Sequence, residues 1–167
     1  MEKPELRIRY LGVKDFFERV SFGTVRVANG KCSSNAIVCL GGTIGNYNDT
    51  REIFDLFQRT SVQTDLIVVG YQLYKRIKIT YNKYRYNSLY RELIGNYLEP
   101  AARENITWRL NSADSIVEAW LDEVQIFRSR KFDVEFVRKL AHGYNWEELL
   151  CSVDSHKNYC IHVFRKK

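Results

Sequence analysis

The stretch "IVCLGGTIGNYND", residues 37 to 49, constrains the fold more than any other part of this chain. Apolar residues typical of a buried strand run directly into Gly41, Gly42 and Gly45. Asp49 then precedes Glu52 by three residues, which is the spacing of a capping box. We therefore predict a strand, a tight turn and a helix over residues 50 to 59. The glycines would let a ligand approach the backbone, and the helix start would offer free amides.

Similar strand and helix patterns occur along the rest of the chain. Strands are predicted at Leu6 to Tyr10, at Ala36 to Leu40 as a buried strand, and in "DLIVVGY", whose continuous apolar run is typical of a parallel sheet covered by helices. A helix is predicted over residues 13 to 20. The terminal segments "EELLCSVD" and "YCIHVFRK", joined by the polar turn "SHKN", predict an antiparallel hairpin.

Three further helices are expected in the second half of the chain. The first covers residues 86 to 98 and ends before Pro100. The second is capped by Ser112 or Asp114, and its apolar face consists of Ile116, Val117, Trp120 and Leu121. The third is capped by Asp133 and ends at Gly143, and its apolar face consists of Phe136, Val137 and Leu140. Together the elements predict an open α/β sheet, mostly parallel, with a C-terminal antiparallel hairpin.

The length and composition favour one domain over residues 1–167. A hydrophobic fraction of 45% and two prolines exclude a disordered chain. No apolar run reaches the roughly 18 residues that a membrane span needs, and the start "MEKPELRIRY" lacks the apolar segment of a secretory signal. We expect a cytoplasmic protein.

The spacing of the cysteines and histidines predicts no metal site. Cys32, Cys39, Cys151 and Cys160 form no C-x-x-C motif, and the three histidines form no ligand pair at helical spacing. Cys151 and Cys160 flank the predicted hairpin, which would place them near each other. In a cytosolic protein we expect them to be reduced packing residues.

The positive charge is concentrated in one tyrosine-rich segment. The net charge is +6, and residues 71 to 91 contain six basic residues, six tyrosines and no acid. Basic and aromatic side chains in alternation can bind phosphates and stack on bases. The alternative is an amphipathic helix whose tyrosines face the core and whose lysines face water.

The motif "CLGGTIGNYND" resembles the strand-four signature of the S-adenosylmethionine-dependent methyltransferases that trimethylate histidine on the ergothioneine pathway. The similarity extends to "GVKDFFERV", which resembles the turn after the family's third strand, and to "DLIVVGYQLYK", which resembles its fifth strand. "TYNKY" matches the family's A-Y-(D/N)-D element in part, and "IFRSRKF" aligns with T-E-V-S-x-K-F. At the position of the glutamate that contacts the substrate imidazole, this chain has Phe127.

The resemblance implies a set of ligand-binding residues. It implies that Asp15 accepts the adenine amino group of S-adenosylmethionine and that Phe16 lies beside it. The remaining implied residues are the following: Gly41, Gly42 and Gly45 next to the cofactor, and Asn46, Tyr81 and Ser129 holding the amino-acid substrate.

The resemblance spans about residues 7 to 165 and corresponds to the later part of the family's catalytic domain. No G-x-G-x-G turn precedes residue 36, so the implied chain is a split subunit, a fragment or a degenerate relative. In the family the strand order is three, two, one, four, five, seven, six. Without strands one and two, strand four has an open edge. We therefore expect a homo-oligomer or a second subunit that supplies the first strands.

Three functions follow from these observations. The first is a methyltransferase-like domain that transfers a methyl group from S-adenosylmethionine to a small amine or amino acid once the missing cofactor half is supplied. In isolation it would bind the cofactor weakly or not at all. The second is a noncatalytic partner subunit or scaffold of the same fold. The third is a basic nucleic-acid-binding module.

Overall fold

The computed structural model describes residues 34–96 and 98–167. Asp15, Phe16 and the elements predicted before residue 34 lie outside them. The strands are β1 (Ala36–Cys39), β2 (Leu66–Gln72), β3 (Ile106–Asn111), β4 (Ile116–Leu121), β5 (Val124–Arg130), β6 (Trp146–Val153) and β7 (Tyr159–Lys166). The α-helices are α1 (Thr50–Thr60), α2 (Ile77–Tyr86), α3 (Ser88–Ile94), α4 (Pro100–Arg103) and α5 (Val134–Gly143), with 3-10 turns at Thr43–Gly45 and Tyr74–Arg76.

The larger sheet has the strand order β1, β2, β7, β6. β1 pairs with β2 in parallel, whereas β7 is antiparallel to both β2 and β6. Three strands therefore run in one direction, and β7 is reversed between two of them. The predicted α/β class and terminal hairpin are confirmed. The prediction of a mostly parallel sheet is confirmed in part: three strands of the larger sheet share one direction, but among the strand pairs of the described residues only β1–β2 is parallel.

The second sheet is fully antiparallel, with the order β3, β4, β5, and it corrects the helix predicted for Ile116 to Leu121. Those apolar residues fit helical spacing, but a two-residue turn follows them at once. Asp122 has φ 53 in that turn, and Leu121 pairs with Val124 across it. Pairing on both sides satisfies the backbone of β4, so strand geometry prevails over the helical pattern.

Two hydrophobic clusters hold the described residues together. The first lies between one face of the larger sheet and helices α1 and α5, and its fully buried members include Phe54, Phe57, Val137 and Trp146. The second lies between α2 and the antiparallel sheet around Tyr84, Trp108 and Val117. Each cluster covers the inner face of one sheet.

Several predicted boundaries and faces change in the structure. The helix predicted over residues 86 to 98 is α3, which starts after Asn87, and Leu93 is 71% exposed. Phe136 was expected in the core but is 43% exposed. β1 is buried on one face only, because Val38 is 57% exposed.

The predicted N-terminal caps of α1 and α5 are confirmed. Asp49 accepts a hydrogen bond from the Arg51 amide at 2.9 Å, and Glu52 accepts one from the Asp49 amide at 3.2 Å. These bonds form the predicted capping box of α1. Asp133 caps α5 in a similar way through the Glu135 amide. In the described part of the chain, no helix is long and apolar enough to cross a membrane.

Candidate functional site

The glycine-rich turn lies at the carboxyl end of β1, where ligands bind in many open α/β sheets. Gly41 and Gly42 have φ values of 79° and 81°, the left-handed region that favours glycine. A Cβ atom added to either residue would meet no atom of residues 34–96 and 98–167 within 4 Å. As far as these residues are concerned, the two glycines leave the space beside this backbone open.

The turn is anchored to the neighbouring strands. The Gly41 amide donates to the Tyr159 hydroxyl at 3.0 Å, and the Gly42 amide donates to the Gly70 carbonyl at 3.1 Å. A Cβ atom on Gly70 would overlap the Tyr159 hydroxyl, so Tyr159 reaches Gly41 only because β2 has no side chain there. The ends of β1, β2 and β7 are thus fixed against one another.

The backbone amides predicted to be free after the glycines donate hydrogen bonds within the turn. The Gly45 amide donates to the Gly42 carbonyl at 2.9 Å, and the Asn46 amide donates to the Thr43 carbonyl at 3.0 Å. These bonds close the 3-10 turn, and the capping box uses the Arg51 amide at the start of α1. An anion site made of these backbone amides is therefore not available.

Gly45 packs against β5. A Cβ atom there would overlap the backbone carbonyl of Arg130. The Arg128 guanidinium donates to the carbonyls of Gly45 and Tyr47, which joins the turn to β5. Burial lowers the pKa of Arg128. The two sheets therefore meet at this turn.

Ser129 belongs to a buried polar cluster that we call the lysine cluster: Gln72, Tyr84, Ser129 and Lys131. Lys131 Nζ donates to Ser129 Oγ at 2.8 Å and to the Tyr84 hydroxyl at 3.3 Å. The Tyr84 hydroxyl donates to Gln72 Oε1 at 3.3 Å. Lys131 is 3% exposed, and burial lowers its pKa from 10.5 to about 7. Burial therefore makes the neutral amine of Lys131 accessible near neutral pH.

The other two predicted substrate residues lie in different surroundings. Tyr81 on α2 is half-buried, and its hydroxyl donates to the Trp108 carbonyl at 3.1 Å. Asn46 is exposed at the end of the 3-10 turn. Tyr81 packs against the second hydrophobic cluster, which also contains Tyr84 of the lysine cluster. The roles given to Asn46, Tyr81 and Ser129 stay predictions.

Three features near these residues were not predicted from the sequence. Lys131 occurs in the basic run "RSRK", which is typical of a solvated surface, and the one signal that singled it out was its match to the lysine of the T-E-V-S-x-K-F element. The buried indole nitrogen of Trp108 has no hydrogen-bond partner among the described residues. A pocket of about 220 Å³ beside Lys131 is also lined by Arg130, Phe132 and Asp133.

The tyrosine-rich basic segment is only partly buried, since Tyr84 is the one buried residue of α2 and α3 has none. Tyr71 and Tyr84 are buried, and Tyr81 and Tyr90 are half-buried. Tyr86 is 72% exposed and stacks with the Arg85 guanidinium, whose carbon lies 5.2 Å from the ring centre. Tyr74 is exposed as well, so four of the six tyrosines are at least half-buried, which agrees with the amphipathic alternative for the helical part of the segment.

No family model matches this sequence. No curated protein matches it either. Among solved structures, the chain is similar to the crystal structure of a S-adenosylmethionine-dependent methyltransferase from Clostridium acetobutylicum ATCC 824, with 10% sequence identity and a TM-score of 0.48. The match covers 84% of this chain and 62% of that protein, so the chain spans less than two thirds of its length. This similarity is too distant to assign the chain to a family.

Proposed function

We propose that this chain is a methyltransferase-like domain that transfers a methyl group from S-adenosylmethionine to a small amine or amino acid when a second chain completes the cofactor site. The observation that carries the proposal is the strand order β1, β2, β7, β6 with β7 alone reversed. The same order remains when strands three, two and one are removed from the order of the resembled family. The histidine specificity of that family is not part of the proposal, because Phe127 replaces its glutamate.

The open side of the glycine turn fits a bound cofactor. The free space above Gly41 and Gly42 would let S-adenosylmethionine lie against the backbone at the carboxyl edge of the sheet. The cofactor would supply the methyl group, while Asp15 and Phe16 would contact its adenine. Gly45 is expected next to the ligand as well, although the side on which a Cβ atom would lie is in contact with the Arg130 backbone.

The acceptor side would be formed by Asn46, Tyr81 and Ser129. Ser129 Oγ accepts from Lys131, and its hydroxyl also interacts with Tyr84, so the serine proton would have to turn from Tyr84 to a polar atom of the acceptor. The Trp108 indole nitrogen, which has no hydrogen-bond partner in the described part of the chain, is a further buried donor in the cluster against which Tyr81 packs. Fixed polar groups of this kind orient an acceptor amine for attack on the methyl group, a step that depends on proximity and alignment.

The proposal can be tested by NMR titration of the isolated chain with S-adenosylhomocysteine. We expect weak binding, with a dissociation constant above about 10 μM because contacts to ribose and methionine are missing. Amide shifts should centre on Gly41 and Gly42, and Asn46→Ala should weaken the effect of an added amino-acid acceptor. Asn48→Ala, at an exposed position two residues away, is the matched control. Shifts confined to other regions would contradict the proposed site, and a dissociation constant below about 10 μM would contradict the need for a second chain.

A noncatalytic subunit of the same fold is the second candidate, and an exposed apolar surface favours it. Val38, Val68, Val163 and Leu150 are in register across the larger sheet, on the face opposite α1 and α5. Val38 is 57% exposed and Leu150 is 53% exposed. Such a row is typical of a surface that binds another chain. This candidate predicts association with a partner and no methyl transfer by the complex.

A further inference from the structure

The terminal hairpin brings Cys151, Cys160 and His162 together, although their spacing in the sequence is not that of a common metal-binding motif. Cys151 of β6 pairs with His162 of β7, and Cys160 lies two residues before His162 on the same strand. Alternate residues of a strand share one face, so all three side chains point to the same side of the sheet. Their sulfur and ring nitrogen atoms all lie within 4.8 Å of one another.

We propose that Cys151, Cys160 and His162 bind one zinc ion, with the fourth coordination position open or filled by water. The two sulfur atoms are 3.8 Å apart. Two thiolates at about 2.3 Å from a tetrahedral zinc ion would be separated by roughly that distance. A disulfide, in contrast, requires the sulfur atoms to move to about 2.05 Å from each other. The present separation therefore suits a bridging ion without a change of the backbone.

The surroundings of the three residues support a ligand role. Cys160 and His162 are fully buried, whereas Cys151 is partly exposed and gives an ion a route from solvent. Two thiolates and a neutral imidazole would leave the bound ion without net charge, which makes burial tolerable. Both thiols lose their protons on binding, so uptake should increase with pH.

The histidine also has the outer contacts that metal-binding histidines use. Its Nδ1 atom lies 3.0 Å from the Tyr71 hydroxyl. Its Nε2 atom is buried without a hydrogen bond, although Glu148 Oε2 is 3.3 Å away. Glu148 is in turn held by Arg138 at 2.7 Å. Whichever nitrogen binds the ion, the other retains a polar neighbour that can fix the ring orientation.

The experiment is a metal titration of the full chain, purified with a phosphine reductant and freed of metal. Cobalt serves as the spectroscopic probe and zinc as the competitor, and native mass spectrometry gives the stoichiometry. We expect one ion per chain and a thiolate-to-cobalt charge-transfer band that zinc abolishes. Cys151→Ala should weaken zinc binding at least 10-fold, on the order of the effects seen at other metal sites.

Cys39→Ala is the matched control, since Cys39 is a buried thiol of the same hydrophobic cluster outside the proposed site. It should bind zinc like the unmodified chain. Circular dichroism should show that both variants remain folded. No uptake by the folded, reduced chain would overturn the proposal, as would equal affinity in Cys151→Ala. A chain that does not bind zinc but readily forms a Cys151–Cys160 disulfide would also overturn the proposal and would indicate a redox pair.

Discussion

At the scale of single residues, Lys131 is the group whose surroundings differ most from what its sequence context indicates. Its amine has two hydrogen-bond acceptors, and it lies 4.9 Å from the centre of the Tyr84 ring. Neither acceptor is a carboxylate, so burial opposes the charged form without a nearby anion in the cluster. Protonation of Lys131 therefore carries a free-energy cost in the folded protein.

This cost predicts a pH-dependent stability. Between pH 7 and 10.5 the unfolded chain keeps a proton on Lys131 that the folded chain has partly or fully released. The contribution of Lys131 to the free energy of unfolding should therefore rise with pH in this range, by up to about 1.4 kcal/mol per pH unit. Urea unfolding at pH 7 and pH 8.5 measures the effect. The rise should be smaller in Lys131→Met by an amount on the order of 1 kcal/mol.

Lys139→Met is the control, because Lys139 is exposed on α5 and its replacement removes the same type of charge. Its stability should follow the unmodified chain at both pH values. If Lys131→Met and Lys139→Met show the same dependence on pH, the buried lysine does not control stability in this range.

At the scale of elements, the unit formed by β1, the glycine turn and α1 follows directly from local sequence signals. Gly41 and Gly42 supply left-handed conformations, and Asp49 with Glu52 caps the helix. The third glycine has a different role, since Gly45 allows the turn to contact the backbone of β5. One short motif therefore contains both turn-forming glycines and a packing glycine.

The packing role of Gly45 predicts a specific loss of stability. In Gly45→Ala the new methyl group would meet the Arg130 carbonyl, and the backbone of either element must shift. We expect a loss of about 1–3 kcal/mol in urea unfolding, as for other overpacked sites. Gly143→Ala should be neutral or slightly stabilising, because no atom of the described residues lies within 4 Å of the added methyl group. Equal effects of the two substitutions would show that β5 does not restrict the turn.

At the scale of the whole molecule, the larger sheet is covered by helices on one face and exposes apolar residues on the other. The exposed row runs across all four strands and includes Val38 and Leu150. β1 is also an edge strand among the described residues, and its free backbone groups can pair with another chain. Both features favour association.

We predict that the chain is not a monomer at micromolar concentration. Light scattering coupled to size-exclusion chromatography should give a mass above 19.8 kDa. Val38→Lys and Leu150→Lys should each shift the mass toward that of the monomer, because a buried lysine in the contact would lose its hydration. The control is Lys139→Met on the helix-covered side. A particle of 19.8 kDa in the unmodified chain would rule out self-association.

Part of the fold was determined by local sequence. The strand and turn at residues 36 to 49, helices α1 and α5, and the hairpin of β6 and β7 were predicted because caps, left-handed glycines and polar turns act over a few residues. The cysteines of the hairpin were also expected to be near each other, and their sulfur atoms are 3.8 Å apart. Such short-range hydrogen bonds do not require knowledge of distant partners.

The remaining features were decided by the tertiary structure. Ile116 to Leu121 form a strand because β3 and β5 pair with both sides of β4, and no local signal specifies these partners. Lys131 is buried because α2 and β5 enclose a side chain that sequence context assigns to the surface. His162 joins Cys151 through strand register. Pairing, burial and register depend on residues distant in sequence, and for this reason only the folded chain determines them.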